Sequence, residues 1–263
     1  MSTSQSIRPI VLILGAGPNI GSSIAKLFLS NGYRVALVAR SLKTGTPAGD
    51  TLEVQGDLSK LSCIPESFRV VREVWGHPSV VVYNGMFTRP PVLISADDPV
   101  GASRTHLSPD DPLGDGFSLE TFQRDMTVNA TNALGAAQHA VEGFKALPAT
   151  AAKAFFYTGN KLNVMPSPGV LFFGMGKIAA AHMIWECSVA YRDRGFKFYY
   201  TDERFPDGRA TRGAMSGEAR AKLYLDLVQN PEHLAWHHTF VKDVGYVDFR
   251  EIDRKADMEG RYE

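Results

Sequence analysis

The 263-residue chain has the composition of a folded globular protein, with 44% hydrophobic and 21% charged residues. Its 28 Lys and Arg residues balance its 28 Asp and Glu residues, so no net charge attracts the chain to nucleic acid or to an anionic membrane. These values argue against disordered, collagen-like and coiled-coil proteins. They favour a single domain, spanning residues 1–263, with a small molecule as its partner.

The few cysteines and the start of the chain bear on where the protein works. Cys63 and Cys187 are the only cysteines and lack metal-ligand spacing, which is typical of a reducing compartment, so we expect a cytoplasmic protein. Residues 1–9 lack the long apolar region of a signal peptide, and no segment approaches the roughly 20 apolar residues of a membrane span.

The histidines show no ligand spacing, so we expect no metal site.

In chain order, the first half alternates between strand and helix patterns. An apolar run at 10–14 ends in glycines, an amphipathic segment follows at 20–30, and a second apolar run occupies 34–39. Such a βαβ unit supports parallel strand pairing, which needs a long crossover. Further strand patterns lie at 52–55, 80–83, 154–158 and 197–201. The alternation predicts an α/β fold with a Rossmann-type, doubly wound parallel sheet.

Two long helices and one long loop are predicted in the rest of the chain. The helices cover about 119–147, with Ser118 as the cap, and about 172–194, with Gly195 as the stop. The loop, at about 85–117, is rich in Pro, Asp and Gly, which break regular elements. Long loops in compact domains are generally functional or disordered. We expect this one beside the mouth of the active site.

The turn after the first strand carries a glycine pattern that reads Gly15-Ala16-Gly17-Pro18-Asn19-Ile20-Gly21. Glycines let a backbone turn sharply and approach a pyrophosphate, and the following helix start offers amides and a positive dipole end. The pattern predicts a dinucleotide-binding turn. An ordinary strand-to-helix turn is the alternative.

This turn resembles the first turn of the short-chain dehydrogenase/reductase family, G-x-x-x-G-x-G. Gly15 and Gly21 match its ends, and Asn19 stands in place of the middle glycine. The resemblance extends over about residues 9–201. It implies a nicotinamide dinucleotide cofactor held by Gly15, Gly17, Asn19, Ile20 and Gly21.

Three further positions resemble cofactor contacts of the family. Asp57-Leu58 after the third strand is similar to the family's adenine-contacting Asp, and Asn84-Gly85 after the fourth is similar to part of its N-N-A-G motif. Arg40 follows the second strand, where NAD-specific relatives carry an acid. A guanidinium there implies the extra phosphate of NADP(H). A solvated surface arginine is the alternative.

The family's catalytic residues are matched in part. Asn129 in a V-N-A segment matches its Asn, and Lys177 in G-x-G-K-I-A-A-A matches its Lys, which holds the nicotinamide ribose. Counting back four from Lys177 places Phe173 where the family carries the proton-exchanging Tyr. Counting back thirteen more places Asn160 at the Ser position, or Thr158 if the loop length differs.

Charged residues follow the sixth predicted strand, where the family has Pro-Gly beside the nicotinamide. The segment reads Thr201-Asp202-Glu203-Arg204. Two interpretations are open. Either the charged groups line the reactive end, with Asp202 or Glu203 stabilising a cationic substrate, or the segment is a solvated turn.

The absence of a tyrosine hydroxyl at position 173 indicates which kinds of reaction the protein can catalyse. Hydride transfer to a ketone leaves an alkoxide that needs a proton, and general acid assistance contributes roughly two to four orders of magnitude. An iminium ion needs no such proton, because hydride neutralises the cation, and an activated C=C bond is intermediate. In this respect the chain resembles fungal reductases of alkaloid pathways, in secondary metabolism, which lack the Tyr.

The alternative function is a non-redox isomerase or cyclase, or a nucleotide-binding pseudoenzyme, in which Lys177 persists only as a ribose ligand. The family resemblance also implies a homodimer or homotetramer assembled through the two long helices. No motif identifies the substrate.

Overall fold

The computed structural model describes residues 8–85, 107–114 and 116–262. The predicted loop at 85–117 lies mostly outside the described residues, and so does its expected place beside the active-site mouth. Its last part is tied to the rest of the chain, because the Leu107 amide donates to the Gly169 carbonyl at 2.9 Å.

Eight strands form one sheet in the order β3-β2-β1-β4-β5-β6-β7-β8. Neighbouring strands from β3 to β7 run parallel, and β8 returns antiparallel along β7. The strand order reverses between β1 and β4, which is where doubly wound sheets bind their ligands. The strands are β1 (Ile10–Leu14), β2 (Arg34–Ala39), β3 (Thr51–Gln55), β4 (Val80–Tyr83), β5 (Lys153–Thr158), β6 (Phe196–Arg204), β7 (His237–Val241) and β8 (Gly245–Tyr246).

Helices cover both faces of the sheet, and the predicted doubly wound α/β fold is therefore confirmed. Helices α1 and α6 pack on one face, and α2, α4 and α5 pack on the other. Among the residues that the structure describes, no helix is both long and apolar enough to cross a membrane. The helices are α1 (Ile20–Ser30), α2 (Cys63–Val74), α3 (Leu119–Met126), α4 (Asn132–Ala146), α5 (Leu171–Ala190), α6 (Gly217–Gln229) and α7 (Arg250–Met258).

The first predicted long helix is present, but a wide turn divides it. Ser118 is the cap, since its Oγ accepts from the Thr121 amide at 3.3 Å. Helices α3 and α4 are joined by one π-helical turn, Thr127–Thr131, which carries Asn129. Wide turns of this kind concentrate at functional sites. The second long helix ends in a short turn before Gly195, whose φ of +70° suits a glycine stop.

Strand β6 is longer than predicted. The sequence pattern indicates a strand at 197–201, whereas β6 continues to Arg204 because β7 pairs with its second half, from Tyr200 to Arg204. Asp202, Glu203 and Arg204 are all buried. The interpretation of this segment as a solvated turn is therefore wrong.

Candidate active site

The first turn is fitted tightly against the end of β4. Gly15 has a φ of +91°, and a Cβ at this position would lie 2.4 Å from the Asn84 carbonyl oxygen. Asn84 Nδ2 donates to the Gly15 carbonyl at 2.8 Å. Both the backbone angle and the close approach require glycine at position 15. The ends of β1 and β4 are thereby held together.

The other side of the turn is open. A Cβ on Gly17 would meet nothing within 4 Å, whereas one on Gly21 would lie 2.7 Å from the Ala16 Cα, so α1 starts close against the turn. Ile20 is buried beneath it. The first amides of a helix have no acceptor within the helix, and they favour an anion. An open glycine turn at a helix start suits a pyrophosphate.

Asn19, which replaces a family glycine, has a partner far along the chain. Its Nδ2 donates to the Met215 carbonyl at 3.0 Å, and its Oδ1 accepts from the Gly217 amide at 3.1 Å. The side chain therefore ties the first turn to the start of α6. A glycine could make neither bond.

The expected adenine end lies at the carboxyl ends of β2 and β3. Asp57 borders a cavity of about 540 Å³ between β3 and α2, and its Oδ1 accepts from the Ser59 amide at 2.9 Å. Leu58 and Gly85 come together, because a Cβ on Gly85 would lie 3.1 Å from Leu58 Cδ1. Arg40 is half-buried at the end of β2. These residues follow the carboxyl ends of β2, β3 and β4.

Lys177 is almost fully buried on α5, with 1% of its surface exposed. Its Nζ donates to the Tyr157 hydroxyl and to the Thr158 carbonyl, both at 3.1 Å. The same nitrogen lies 5.0 Å from the centroid of the Phe173 ring. The lysine thus sits between the end of β5 and the first turns of α5.

Asn129 is connected to Lys177 through a phenol. The Tyr157 hydroxyl donates to the Asn129 carbonyl at 2.8 Å while it accepts from Lys177. Asn129 Nδ2 donates to the Asp125 carbonyl at 2.9 Å. The structure therefore brings Asn129, Lys177 and Phe173 together around Tyr157, a residue that the sequence analysis did not single out.

The two candidates for the Ser position direct their side chains elsewhere. Thr158 Oγ1 lies 3.1 Å from the Tyr224 hydroxyl of α6, on the other face of the sheet. Asn160 Oδ1 accepts from the Leu162 amide at 3.1 Å and caps the short turn that follows β5. Neither side chain has a hydrogen bond to Lys177 among the described residues, although the Thr158 backbone does.

Asp202 takes part in a buried ion-pair network on the α5 side of β6. Arg204 Nε lies 2.5 Å from Asp202 Oδ2, and Arg204 Nη1 lies 3.1 Å from Asp253 Oδ1. His237 Nε2 is 3.9 Å from the same Asp202 oxygen. Arg204 therefore holds one carboxylate oxygen of Asp202, while Oδ1 has no hydrogen-bond partner among the described residues.

Glu203 points to the opposite face of the sheet, toward α6. Its carboxylate accepts from the Ser216 amide at 3.0 and 3.1 Å and lies 3.7 Å from Arg220 Nη2. Arg220 is fully buried and donates to the Thr201 carbonyl at 3.1 Å. The charged segment noted in the sequence thus forms two buried ion-pair clusters, one on each face of the sheet.

Burial and neighbouring charges change the acidity of the central groups. Burial, and to a smaller extent the Arg220 charge, lower the pKa of Lys177 to about 7, although the Asp202 charge opposes both. Burial also raises the pKa of the Tyr157 phenol. The lysine therefore changes charge near neutral pH while the phenol stays protonated.

Comparison with known proteins decides the family. The chain is 42% identical over 241 residues to a short chain dehydrogenase/reductase of Cryptosporiopsis sp. (strain 8999), and the match covers 92% of this chain and 95% of the relative. The chain belongs to the short-chain dehydrogenase/reductase family. As a member of this family it is an oxidoreductase. No family model matches the sequence.

Solved structures agree with the short-chain dehydrogenase/reductase fold. A 3-ketoacyl-(acyl-carrier-protein) reductase of Brucella melitensis, complexed with NADH, has a TM-score of 0.68 at 16% identity, covering 90% of this chain and 97% of that one. A short-chain dehydrogenase/reductase of Serratia marcescens has a TM-score of 0.65 at 17% identity, with coverages of 89% and 96%. These likenesses and the observed sheet confirm the predicted Rossmann-type fold.

Proposed function

We propose that this protein is an NADPH-dependent reductase of a small metabolite whose reduction needs no phenolic proton donor. The substrate classes are an iminium ion or an activated C=C or C=O bond. The observation that carries the proposal is the pair Lys177 and Phe173: the lysine matching the family's catalytic Lys lies against a ring without a hydroxyl, 5.0 Å from its centroid. The non-redox alternative is not favoured, since the relatives are dehydrogenases or reductases.

The cofactor would lie across the carboxyl ends of the strands. The open turn at Gly15 and Gly17 would take the pyrophosphate, with Asp57 at the adenine and Lys177 at the nicotinamide ribose. When bound, the nicotinamide supplies the hydride. Arg40 would pair with the 2′-phosphate, because a guanidinium matches phosphate geometry and an acid would repel it. This supports NADP(H) over NAD(H).

Proton supply distinguishes the substrate classes. Phe173 has no exchangeable proton, and the phenol nearest to Lys177, that of Tyr157, is fully buried and donates to a backbone carbonyl. A ketone would therefore lack the phenolic proton donor with which the family protonates the alkoxide. A cationic substrate has no such need.

Electrostatics around the lysine also favours a cationic substrate. Because the pKa of Lys177 is lowered to about 7, the lysine is partly neutral near pH 7 and repels a neighbouring cation less than an ordinary ammonium would. The Asp202 carboxylate is buried on the face of the sheet that α5 covers, and its Oδ1 has no hydrogen-bond partner among the described residues. We propose Asp202 as the residue that stabilises an iminium substrate.

The test is a substrate panel with the purified full-length chain. NADPH oxidation is followed by absorbance with a cyclic imine, an activated enone and a simple ketone, at matched concentrations. We expect turnover of the imine or the enone and almost none of the ketone. Comparable rates with the ketone would overturn the proposed substrate class, and no oxidation with any acceptor would overturn the reductase itself.

We further propose a homodimer or homotetramer assembled through α4 and α5. These helices expose a set of large apolar side chains: Leu134, Met175, Ile178, Trp185 and Val189. An exposed apolar surface of this kind marks a protein interface. Light scattering coupled to gel filtration tests the mass. Replacement of Ile178 by Glu should lower it to that of a monomer, whereas an unchanged monomer mass in both proteins would contradict the assembly.

We also propose that the protein works in the cytoplasm, in secondary metabolism. Cys63 and Cys187 are both free, which suits a reducing compartment. Imaging of a fluorescent fusion in the producing cell tests the location.

A further inference from the structure

Three tyrosines lie side by side on the face of the sheet that α4 and α5 cover. Tyr83, Tyr157 and Tyr200 are register partners on β4, β5 and β6. Their rings stack with centroids 5.7 and 5.5 Å apart, at interplanar angles of 8° and 12°. All three are at most 1% exposed. We call this set the tyrosine row.

Each hydroxyl of the tyrosine row donates to a backbone carbonyl. Tyr83 donates to Val128 at 2.5 Å, and Tyr157 donates to the next residue, Asn129, at 2.8 Å. Tyr200 donates to Asn160 at 2.9 Å. The row therefore anchors the wide turn of the long helix and the loop after β5 onto the sheet.

Tyr157 differs from its neighbours because it also holds the lysine. Lys177 Nζ lies 3.1 Å from the Tyr157 oxygen and 4.5 Å from the centroid of its ring. The Thr158 carbonyl, at 3.1 Å, is the second acceptor. An ammonium has three protons, so these two bonds leave one for a further acceptor.

We propose that Tyr157 is a positioning residue of the active site, which links Lys177 Nζ to the Asn129 carbonyl and favours the protonated form of the buried lysine. Tyr157 acts through Lys177 and does not touch the substrate, because its hydroxyl is enclosed between the lysine and the Asn129 carbonyl. The inference rests on the proposed function, in which Lys177 contacts the cofactor ribose. It assigns a role to a side chain outside the family's catalytic set.

The physical reason is the cost of burying a charge. A buried ammonium loses its hydration and remains charged only where protein acceptors replace the water. Tyr157 and Thr158 face it from β5, the Phe173 ring from its own helix, the Arg220 charge from α6 and the Asp202 charge from β6. Without the Tyr157 oxygen, Lys177 Nζ keeps only the Thr158 carbonyl of these two hydrogen-bond acceptors. Its pKa must fall.

Tyr157→Phe removes the oxygen and retains the ring. Tyr83→Phe is the matched control, because Tyr83 is equally buried, stacks on Tyr157 and donates to the residue preceding Asn129, but has no contact with Lys177 among the described residues. The full-length proteins are labelled with ¹³C at the lysine Cε, and the pKa of Lys177 is read from an NMR titration. Lys177→Met identifies the signal.

We expect Tyr157→Phe to lower the pKa of Lys177 by about one unit or more, as loss of a charge-assisted hydrogen bond predicts. Tyr83→Phe should leave that pKa unchanged, and the alkaline limb of the rate of NADPH oxidation, where Lys177 loses its proton, should move to lower pH with Tyr157→Phe alone. An unchanged pKa in Tyr157→Phe, or an equal shift in both variants, would overturn the inference.

A second measurement needs no variant of Tyr157. In the unmutated chain labelled at the tyrosine Cζ, the Tyr157 signal should follow the titration of Lys177, and this dependence should vanish in Lys177→Met. A Tyr157 signal that ignores the titration would also overturn the inference. Both titrations are made without nucleotide, so a protein that fails to oxidise NADPH would refute the proposed function while the Lys177–Tyr157 coupling is still measured.

Discussion

A Cβ built on Gly176 would lie 2.6 Å from the Asn129 Cβ, so α5 approaches the wide turn of the long helix as closely as a glycine allows. Gly176 immediately precedes Lys177. The backbone contact at Gly176 therefore sets the distance between two residues that are proposed to work together, Asn129 and Lys177.

Gly176→Ala tests this contact. The added methyl group has no space, and overpacking of a close contact typically costs about 1–3 kcal/mol. We expect a lower free energy of unfolding in urea together with weaker NADPH binding. Gly174→Ala is the control on the same helix, since a Cβ there meets nothing within 4 Å. It should stabilise the protein by up to about 1 kcal/mol through helix propensity. Equal stabilities of the two variants would contradict the contact.

Arg40→Asp should reverse the nucleotide preference. The change replaces the proposed phosphate partner by an acid that suits the ribose hydroxyls of NAD(H), so we expect NADPH affinity to fall by about tenfold or more. Isothermal titration calorimetry with both nucleotides measures the effect. Lys43→Asp controls for the change in net charge, because Lys43 is exposed three residues further on. An unmutated chain that binds both nucleotides equally would refute the NADP(H) assignment.

Phe173→Tyr should add a phenol at the position where the family carries its proton donor. Reduction of simple ketones should appear or rise, by at most the roughly 10²–10⁴-fold that general acids supply, while the rate with an iminium substrate should change little. Phe172→Tyr is the control, since the Phe172 ring packs on Phe117 and Phe122 instead of on Lys177. Ketone reduction that rises equally in both variants would show that Phe173 does not face the reacting carbon.

Lys177→Met should stabilise the fold while it abolishes hydride transfer. The pKa of Lys177 falls from its ordinary value of 10.5 to about 7 on folding, so the unfolded chain binds more protons between these values and the stability of the unmutated protein rises with pH across that window. The gain from Lys177→Met should therefore be largest below pH 7 and shrink toward pH 10.5. Urea unfolding at pH 6 and pH 9 measures it, and a gain independent of pH would contradict the lowered pKa.

Local patterns in the sequence predicted much of the fold. Strand β1 and helix α1 lie where the apolar run and the amphipathic segment predict them, because burial and turn chemistry are decided there by neighbouring residues. The Ser118 cap and the Gly195 stop were predicted for the same reason.

The features that could not be predicted from the sequence depend on contacts between residues far apart in the chain. A solvated turn stayed open for Glu203 and Arg204 because no neighbour in the chain explains their burial. Their partners Arg220 and Asp253 lie on other elements. Tyr157 gave no signal beyond that of a strand residue, since its role depends on how α5 packs across β5.

The hydrogen bonds of Asn19 join residues that are synthesised at very different times. Its partners Met215 and Gly217 follow 196 and 198 residues later. A nascent chain on the ribosome that ends before residue 215 contains β1, its glycine turn and α1 but lacks the two bonds that tie this turn to α6. This turn therefore gains both bonds only after residue 217 has been synthesised.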